Sequence, residues 1–127
     1  MVHQVYFKQN KFGAKRRAFQ GVKYDSGLEA QAAQELDLRL KAKDIKAVER
    51  QVKLSLTAHG KHICNYYIDF IITHNDRSKE YLEIKGMELP VWRIKWKLLE
   101  AQLADEDPMA IMTVYKQSNI RYRKSGR

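Results

Sequence analysis

The chain has 127 residues, with 24 lysines and arginines against 15 aspartates and glutamates, which gives a formal net charge of +9. This length predicts a single domain over residues 1–127, large enough for one hydrophobic core but not for two. The single cysteine, Cys64, excludes an internal disulfide, and the sequence has no signal peptide or membrane-spanning run, so we expect a cytoplasmic protein with a negatively charged partner such as nucleic acid.

Basic residues crowd both ends of the chain, which we predict to be an N-terminal arm (1–18) and a C-terminal tail (118–127). On DNA such segments would hold the phosphate backbone without reading the bases. The residues expected to do so are Lys11, Lys15, Arg16, Arg17, Arg121, Arg123 and Lys124. The alternative is that both ends are simply solvated.

A first helix is predicted from Ser26 to about Lys43. Its apolar stripe consists of Ala32, Ala33, Leu36 and Leu40. Glu29 projects into the middle of this stripe and therefore faces the core or a cleft. Ser26 followed three residues later by Glu29 also fits a capping box, which would satisfy the first backbone donors of the helix, and the two roles can coexist.

Three strands are predicted at 48–56, 63–73 and 80–85. Gln51, on the polar side of the first strand, is a possible site-facing group, as is Ser26. Asp69 lies inside the apolar run of the second strand, where a charge is costly to bury unless it is paired or binds a metal. In the third strand, Glu83 and Lys85 share a face, and the hairpin loop 74–78 can bring Asp69 beside Glu83. An exposed polar strand face with a weak charge pair would also explain this alternation.

A second helix is predicted at 90–104 and a last strand at 110–116. Lys95 falls near the centre of the broad apolar arc of this helix, which is unusual for a lysine. Either its ammonium reaches a cleft and contacts a DNA phosphate, or its stem crosses the apolar surface to reach water. Together the elements predict an α/β fold with a mixed central sheet flanked by helices.

The chain carries a glutamate on the first helix, then Asp69 in a strand, then Glu-Ile-Lys at 83–85 in the next strand. The same order is found in PD-(D/E)xK nucleases. The chain resembles that superfamily, and within it the small Holliday-junction resolvases and related phage endonucleases, from Tyr24 to about Leu103. The resemblance implies a restriction-endonuclease-like core, and a bacterial host cell as the setting if a phage encodes the chain. Two departures are Ile68 in place of the nominal proline before Asp69 and a fairly long loop between 69 and 83.

The catalytic residues implied by the resemblance are Glu29, Asp69, Glu83 and Lys85. Carboxylate oxygens suit a hard cation, so we expect Mg²⁺, with Mn²⁺ able to substitute. Its ligands would be Asp69, Glu83, the Ile84 carbonyl and Glu29. A metal-bound water would be the nucleophile, and Lys85 could orient it or stabilise the transition state.

The expected function is that of a magnesium-dependent, structure-selective DNA endonuclease acting on branched DNA, such as a four-way junction. A homodimer is expected because resolving a junction needs two paired cuts. Candidate residues for the dimer surface are Trp92, Trp96, Val2, Val5, Tyr6 and Phe7. The alternatives are a nicking or restriction-like PD-(D/E)xK enzyme on duplex DNA, and a non-catalytic architectural module that only binds DNA. An architectural module would not explain why carboxylates that repel one another face inwards.

Overall fold

Seven strands and two helices form in residues 2–4, 17–19, 22–24 and 27–116, the parts of the chain described by a computed structural model, with side chains described from Gly27 to Lys116. In chain order they are β1 (Val2–Gln4), β2 (Arg17–Phe19), β3 (Val22–Tyr24), α1 (Gly27–Lys41), β4 (Ala47–Ala58), β5 (Lys61–Thr73), β6 (Lys79–Lys85), α2 (Pro90–Glu106) and β7 (Ile111–Lys116). The elements from α1 onwards match the predicted ones to within a few residues. The three short strands before α1 were not predicted.

The strands form a five-stranded sheet with the order β1-β7-β6-β5-β4, and β2 pairs with β3 in a separate hairpin. Strands β4, β5 and β6 are an antiparallel meander. Helix α2 then returns the chain to β7, which runs parallel to β6 and to β1. The predicted mixed sheet is confirmed, since it contains both kinds of pairing. No helix in the described residues is long and apolar enough to cross a bilayer.

Each helix covers one face of the sheet with its own hydrophobic layer. The α1 layer contains Leu28, Ala32, Ala33, Leu36, Ile45, Phe70, Ile72, Leu82, Ile84 and Tyr115. The α2 layer contains Leu56, Tyr66, Ile68, Ile71, Trp92, Trp96, Leu99, Leu103, Ala110, Met112 and Val114. Val114 and Tyr115 are adjacent in β7 but belong to different layers, because successive strand residues point to opposite faces. The sheet is therefore flanked by helices, as predicted.

Strand β5 exchanges its two faces at Asp69. Phe70 and Ile72 pack in the α1 layer, whereas Tyr66 and Ile68 pack in the α2 layer. In a regular strand these residues, spaced two apart, would all share one face. The strand must therefore turn over between Ile68 and Phe70, and Asp69 lies at the point of exchange.

Strand β4 turns over at the position opposite Asp69. Val48 packs against the α1 layer and Val52 against the α2 layer, although both have the same parity. Gln51, between them, has a φ of 51°, in the left-handed region that non-glycine residues seldom occupy. Such backbone strain persists where surrounding structure imposes it, often at functional sites. Its effect here is to direct the Gln51 side chain towards α1.

Helix α2 buries a narrower face than its sequence predicted. Its buried residues are Trp92, Trp96, Leu99 and Leu103. Val91 and Ile94, expected in the apolar arc, are exposed. The two tryptophan rings stack at a centroid distance of 5.7 Å. Because both rings belong to the core, their proposed place in a dimer surface is wrong.

Gln102, a polar residue on the inner side of α2, fastens the helix to β4. Its side-chain oxygen accepts the Thr57 N–H at 2.9 Å, and its amide nitrogen donates to the Ser55 carbonyl at 3.1 Å. One amide thus satisfies a donor and an acceptor of the same strand. Buried or half-buried amides need such partners.

The Gln102→Ala variant is expected to lose about 1–2 kcal/mol of unfolding free energy, because Thr57 and Ser55 lose their hydrogen-bond partners. Urea unfolding followed by far-UV circular dichroism measures this. Gln34→Ala, on the exposed side of α1, is the matched control and should change stability little. Equal stability of the two variants would contradict the proposed role of the Gln102 bonds.

Candidate active site

Strands β5 and β6 part at the point where β5 changes face. Their antiparallel pairing runs from Thr73 and Lys79 to Phe70 and Leu82 and ends there. Beyond it, the Asp69 carboxylate reaches across and accepts the Ile84 N–H at 2.8 Å. A side chain thus replaces a strand-to-strand hydrogen bond, and the parting strands leave Asp69 half-buried between them.

Glu83 lies in the next strand and is only 4% exposed. Its Oε1 accepts the Tyr66 hydroxyl proton at 2.8 Å, and its Oε2 lies 3.4 Å from the Lys85 ammonium. Lys85 is also 5.1 Å from the centre of the Trp92 ring, and 24% of its side chain is exposed. Each oxygen of Glu83 therefore has its own partner, and the lysine that balances its charge remains accessible from solvent.

Glu29 reaches the same region from the first turn of α1 and is 7% exposed. Gln51 donates to its Oε2 at 3.3 Å, which the left-handed backbone of Gln51 makes possible. The capping alternative for Glu29 rests on Ser26, which lies outside the described residues. Burial in the α1 layer agrees with the inward orientation predicted from the helical stripe.

The three carboxylates form, with Lys85, what we call the carboxylate site (Glu29, Asp69, Glu83 and Lys85). Burial raises the pKa of Asp69 to about 9, the negative charges of Glu83 and Glu29 add to the rise, and the Ile84 N–H and Lys85 oppose it. Burial also raises the pKa of Glu83, against the opposing effects of Lys85 and Tyr66. If all three carboxyls were ionised, the site would carry more negative charge than Lys85 balances, and the raised pKa values reflect the cost of that state.

The residues present fit a magnesium ion by the chemistry of their donors. Asp69 and Glu83 offer hard carboxylate oxygens, and a cation would offset the burial that raises both pKa values and the repulsion from Glu83 and Glu29 that adds to the rise at Asp69. From Gly27 to Lys116, no group of three or more His, Cys, Asp or Glu side chains is arranged to hold a metal by itself. Magnesium usually keeps several waters and needs only one or two protein carboxylates.

The structure describes only some of the residues that were predicted to contact DNA. Lys95 is half-buried, and its ammonium donates to the Asn65 carbonyl of β5 at 3.0 Å. The ammonium thus has a partner within the protein. The backbone of Arg17 lies in β2. The remaining predicted residues lie outside the described part of the chain: Lys11, Lys15, Arg16, Arg121, Arg123 and Lys124.

Two residues of the site were missed from the sequence. Tyr66 binds Glu83, and the Trp92 indole N–H donates to the Tyr66 oxygen at 3.0 Å. Trp92 had been offered as a candidate for the dimer surface, and Tyr66 had been given no role of its own. A usable signal was present, because a buried tyrosine or tryptophan must place its polar atom against a partner.

A protein-family model described as "Protein of unknown function (DUF1064)" matches residues 9–122, which is most of the chain. The chain belongs to the DUF1064 family. The matched range contains the whole carboxylate site, together with Tyr66 and Trp92. No curated protein and no solved structure matches this DUF1064 chain.

Proposed function

We propose that this protein is a magnesium-dependent, structure-selective DNA endonuclease that cleaves four-way junctions, built on a restriction-endonuclease-like core. The observation that carries the proposal is the meeting of Glu29, Asp69 and Glu83 with Lys85 where β5 and β6 part. Carboxylates crowded in this way repel one another, which a purely structural role does not explain. The order of these residues along the chain is also that of PD-(D/E)xK nucleases.

Asp69 and Glu83 would hold the ion, with the Ile84 carbonyl and Glu29 as further donors. Magnesium, or manganese in its place, supplies a Lewis acid and an activated water when bound. Lys85 presents its ammonium beside these carboxylates, where negative charge would build on the cleaved phosphate. Gln51 holds Glu29 in position through its amide.

The face of the sheet beside the site supports a nucleic-acid substrate. Lys53 and Tyr67 pair across β4 and β5, two residues along the strands from Gln51 and Asp69. Tyr67 is 59% exposed, and Lys53 is exposed as well. A basic side chain next to an exposed aromatic ring suits a phosphate backbone with an adjoining base or sugar. The net charge of +9 favours the same partner.

A homodimer is part of the proposal, because two symmetric cuts require two sites. Trp92 and Trp96 are buried and cannot form its surface. Val2, Val5, Tyr6 and Phe7 have no described side chains. Exposed apolar residues do cluster in sequence around the start of α2, namely Met87, Leu89, Val91 and Ile94.

The test is cleavage of a synthetic four-way junction beside a linear duplex and a single strand of matched sequence, in magnesium or in EDTA. We expect paired, symmetric nicks confined to the junction, dependent on magnesium and absent from Asp69→Asn. Equal cutting of linear duplex would replace junction resolution with a general or restriction-like nuclease. Tight DNA binding without cutting in magnesium or manganese would replace catalysis with an architectural role.

A further inference from the structure

Beneath Glu83 lies a chain of hydrogen bonds between buried aromatic side chains. The Trp92 indole N–H donates to the Tyr66 oxygen at 3.0 Å, and the Tyr66 hydroxyl donates to Glu83 Oε1 at 2.8 Å. Tyr66 is 4% exposed, so water competes little for these bonds. The chain of bonds begins in the hydrophobic core and ends at the carboxylate site.

The chemistry of the three groups fixes the direction of this chain. An indole N–H can only donate, so the Tyr66 oxygen accepts from Trp92. The single hydroxyl proton of Tyr66 then points to Glu83. As a result, Oε1 of Glu83 accepts the Tyr66 proton, and Oε2 faces Lys85 and the gap between the strands.

We propose that Tyr66 and Trp92 are positioning residues that hold Glu83 as a preorganised metal ligand, with Trp92 acting on Glu83 through its hydrogen bond to Tyr66. This inference rests on the proposed function, because it assigns Glu83 to a metal site. Partners behind a ligand fix its orientation, and their loss typically weakens metal affinity by about 10- to 100-fold. A hydrogen bond with a purely structural role would stabilise the fold without changing metal affinity.

The chain supplies a matched control in Trp96. It stacks on Trp92 and meets the Tyr66 ring edge-on at 6.4 Å, and it is as buried as Trp92. The hydrogen bond to the Tyr66 hydroxyl, however, comes from Trp92. Trp96→Phe therefore perturbs the same part of the core without removing a hydrogen bond that connects Trp92, Tyr66 and Glu83.

The experiment is a calorimetric titration of Mn²⁺ into the full-length protein and its variants, with urea unfolding of each as a measure of stability. For Tyr66→Phe we expect a Kd for Mn²⁺ raised about 10-fold or more. Trp92→Phe should raise it less, and Trp96→Phe should leave it unchanged. In the Tyr66→Phe background, Trp92→Phe should cause no further loss, because its effect passes through the missing hydroxyl.

Several results would overturn the inference. Wild-type Mn²⁺ affinity in Tyr66→Phe would do so, as would equal losses in Trp92→Phe and Trp96→Phe, or additive losses in the double variant. If Tyr66→Phe does not fold, the comparison of Trp92→Phe with Trp96→Phe decides. A wild-type protein that neither binds Mn²⁺ nor cuts DNA would overturn the proposed function itself, whereas one that does both while Tyr66→Phe matches it refutes only the positioning role.

Discussion

Asp69→Asn is expected to lower junction cleavage by about 100- to 1,000-fold, the size of effect seen when stabilisation of developing charge is lost, because the cation that would supply it loses a ligand. The substitution keeps the shape and the acceptor for the Ile84 N–H, and it removes the negative charge that a cation needs. Binding of DNA should change little, since the basic residues proposed to attract the backbone are untouched. Single-turnover cleavage and a filter-binding assay on the same junction separate the two effects.

Glu83→Gln and Lys85→Ala should show the same pattern, with lost cleavage and retained binding. Asp76→Asn is the control, because Asp76 is an exposed aspartate that caps its own loop through Ser78. It should cut like wild type. Full cleavage by any two of the three site variants would remove these residues from the active site.

The stability of the metal-free protein is expected to fall as pH rises from about 5 to about 8. The pKa of Asp69 is about 9 in the folded protein and near 4 in the unfolded chain. Between these values only the folded state keeps the proton, so raising the pH favours unfolding. The raised pKa of Glu83 acts in the same direction. The slope can reach about 1.4 kcal/mol per pH unit for each proton that the folded state alone retains.

Urea unfolding in EDTA at several pH values measures this slope. Asp69→Asn should flatten it and be more stable than wild type near pH 8, while the two proteins converge near pH 5. Asp76→Asn should not flatten it, because the pKa of Asp76 is lowered by its bonds to Ser78 rather than raised. Added magnesium should stabilise the wild type most at high pH. A wild-type protein whose stability rises from pH 5 to pH 8 in EDTA would contradict the raised pKa of the buried Asp69 and Glu83 carboxyls.

Periodicity predicted most of the fold because the helices and several strands show a regular apolar pattern in the sequence. The stripe that carries Glu29 inwards is visible in α1, and strict alternation identifies the strand of Glu83 and Lys85. Asp69 stood out as a charge within an apolar run. These signals are local, so sequence alone was enough to place the carboxylates on their elements.

The exchange of faces at Gln51 and Asp69 could not be predicted in the same way. Alternation assumes that a strand keeps its faces from end to end, and nothing in the residue type of Gln51 announces a positive φ. The roles of the aromatic residues were not predicted for another reason, since a buried tryptophan and an interfacial one look alike on a helical wheel. Trp92 and Trp96 were therefore misplaced, and the Tyr66 contact to Glu83 was not foreseen.

The bonds of Gln102 also bear on how copies of this protein can meet. Among the described strands β4 is at the outer edge of the sheet, and an open edge is a template for pairing with another molecule. The Gln102 amide binds Ser55 and Thr57 as the peptide group of a neighbouring strand would. This part of the edge is thereby closed to sheet extension, which protects against aggregation. A functional dimer must then associate through another surface or first displace Gln102.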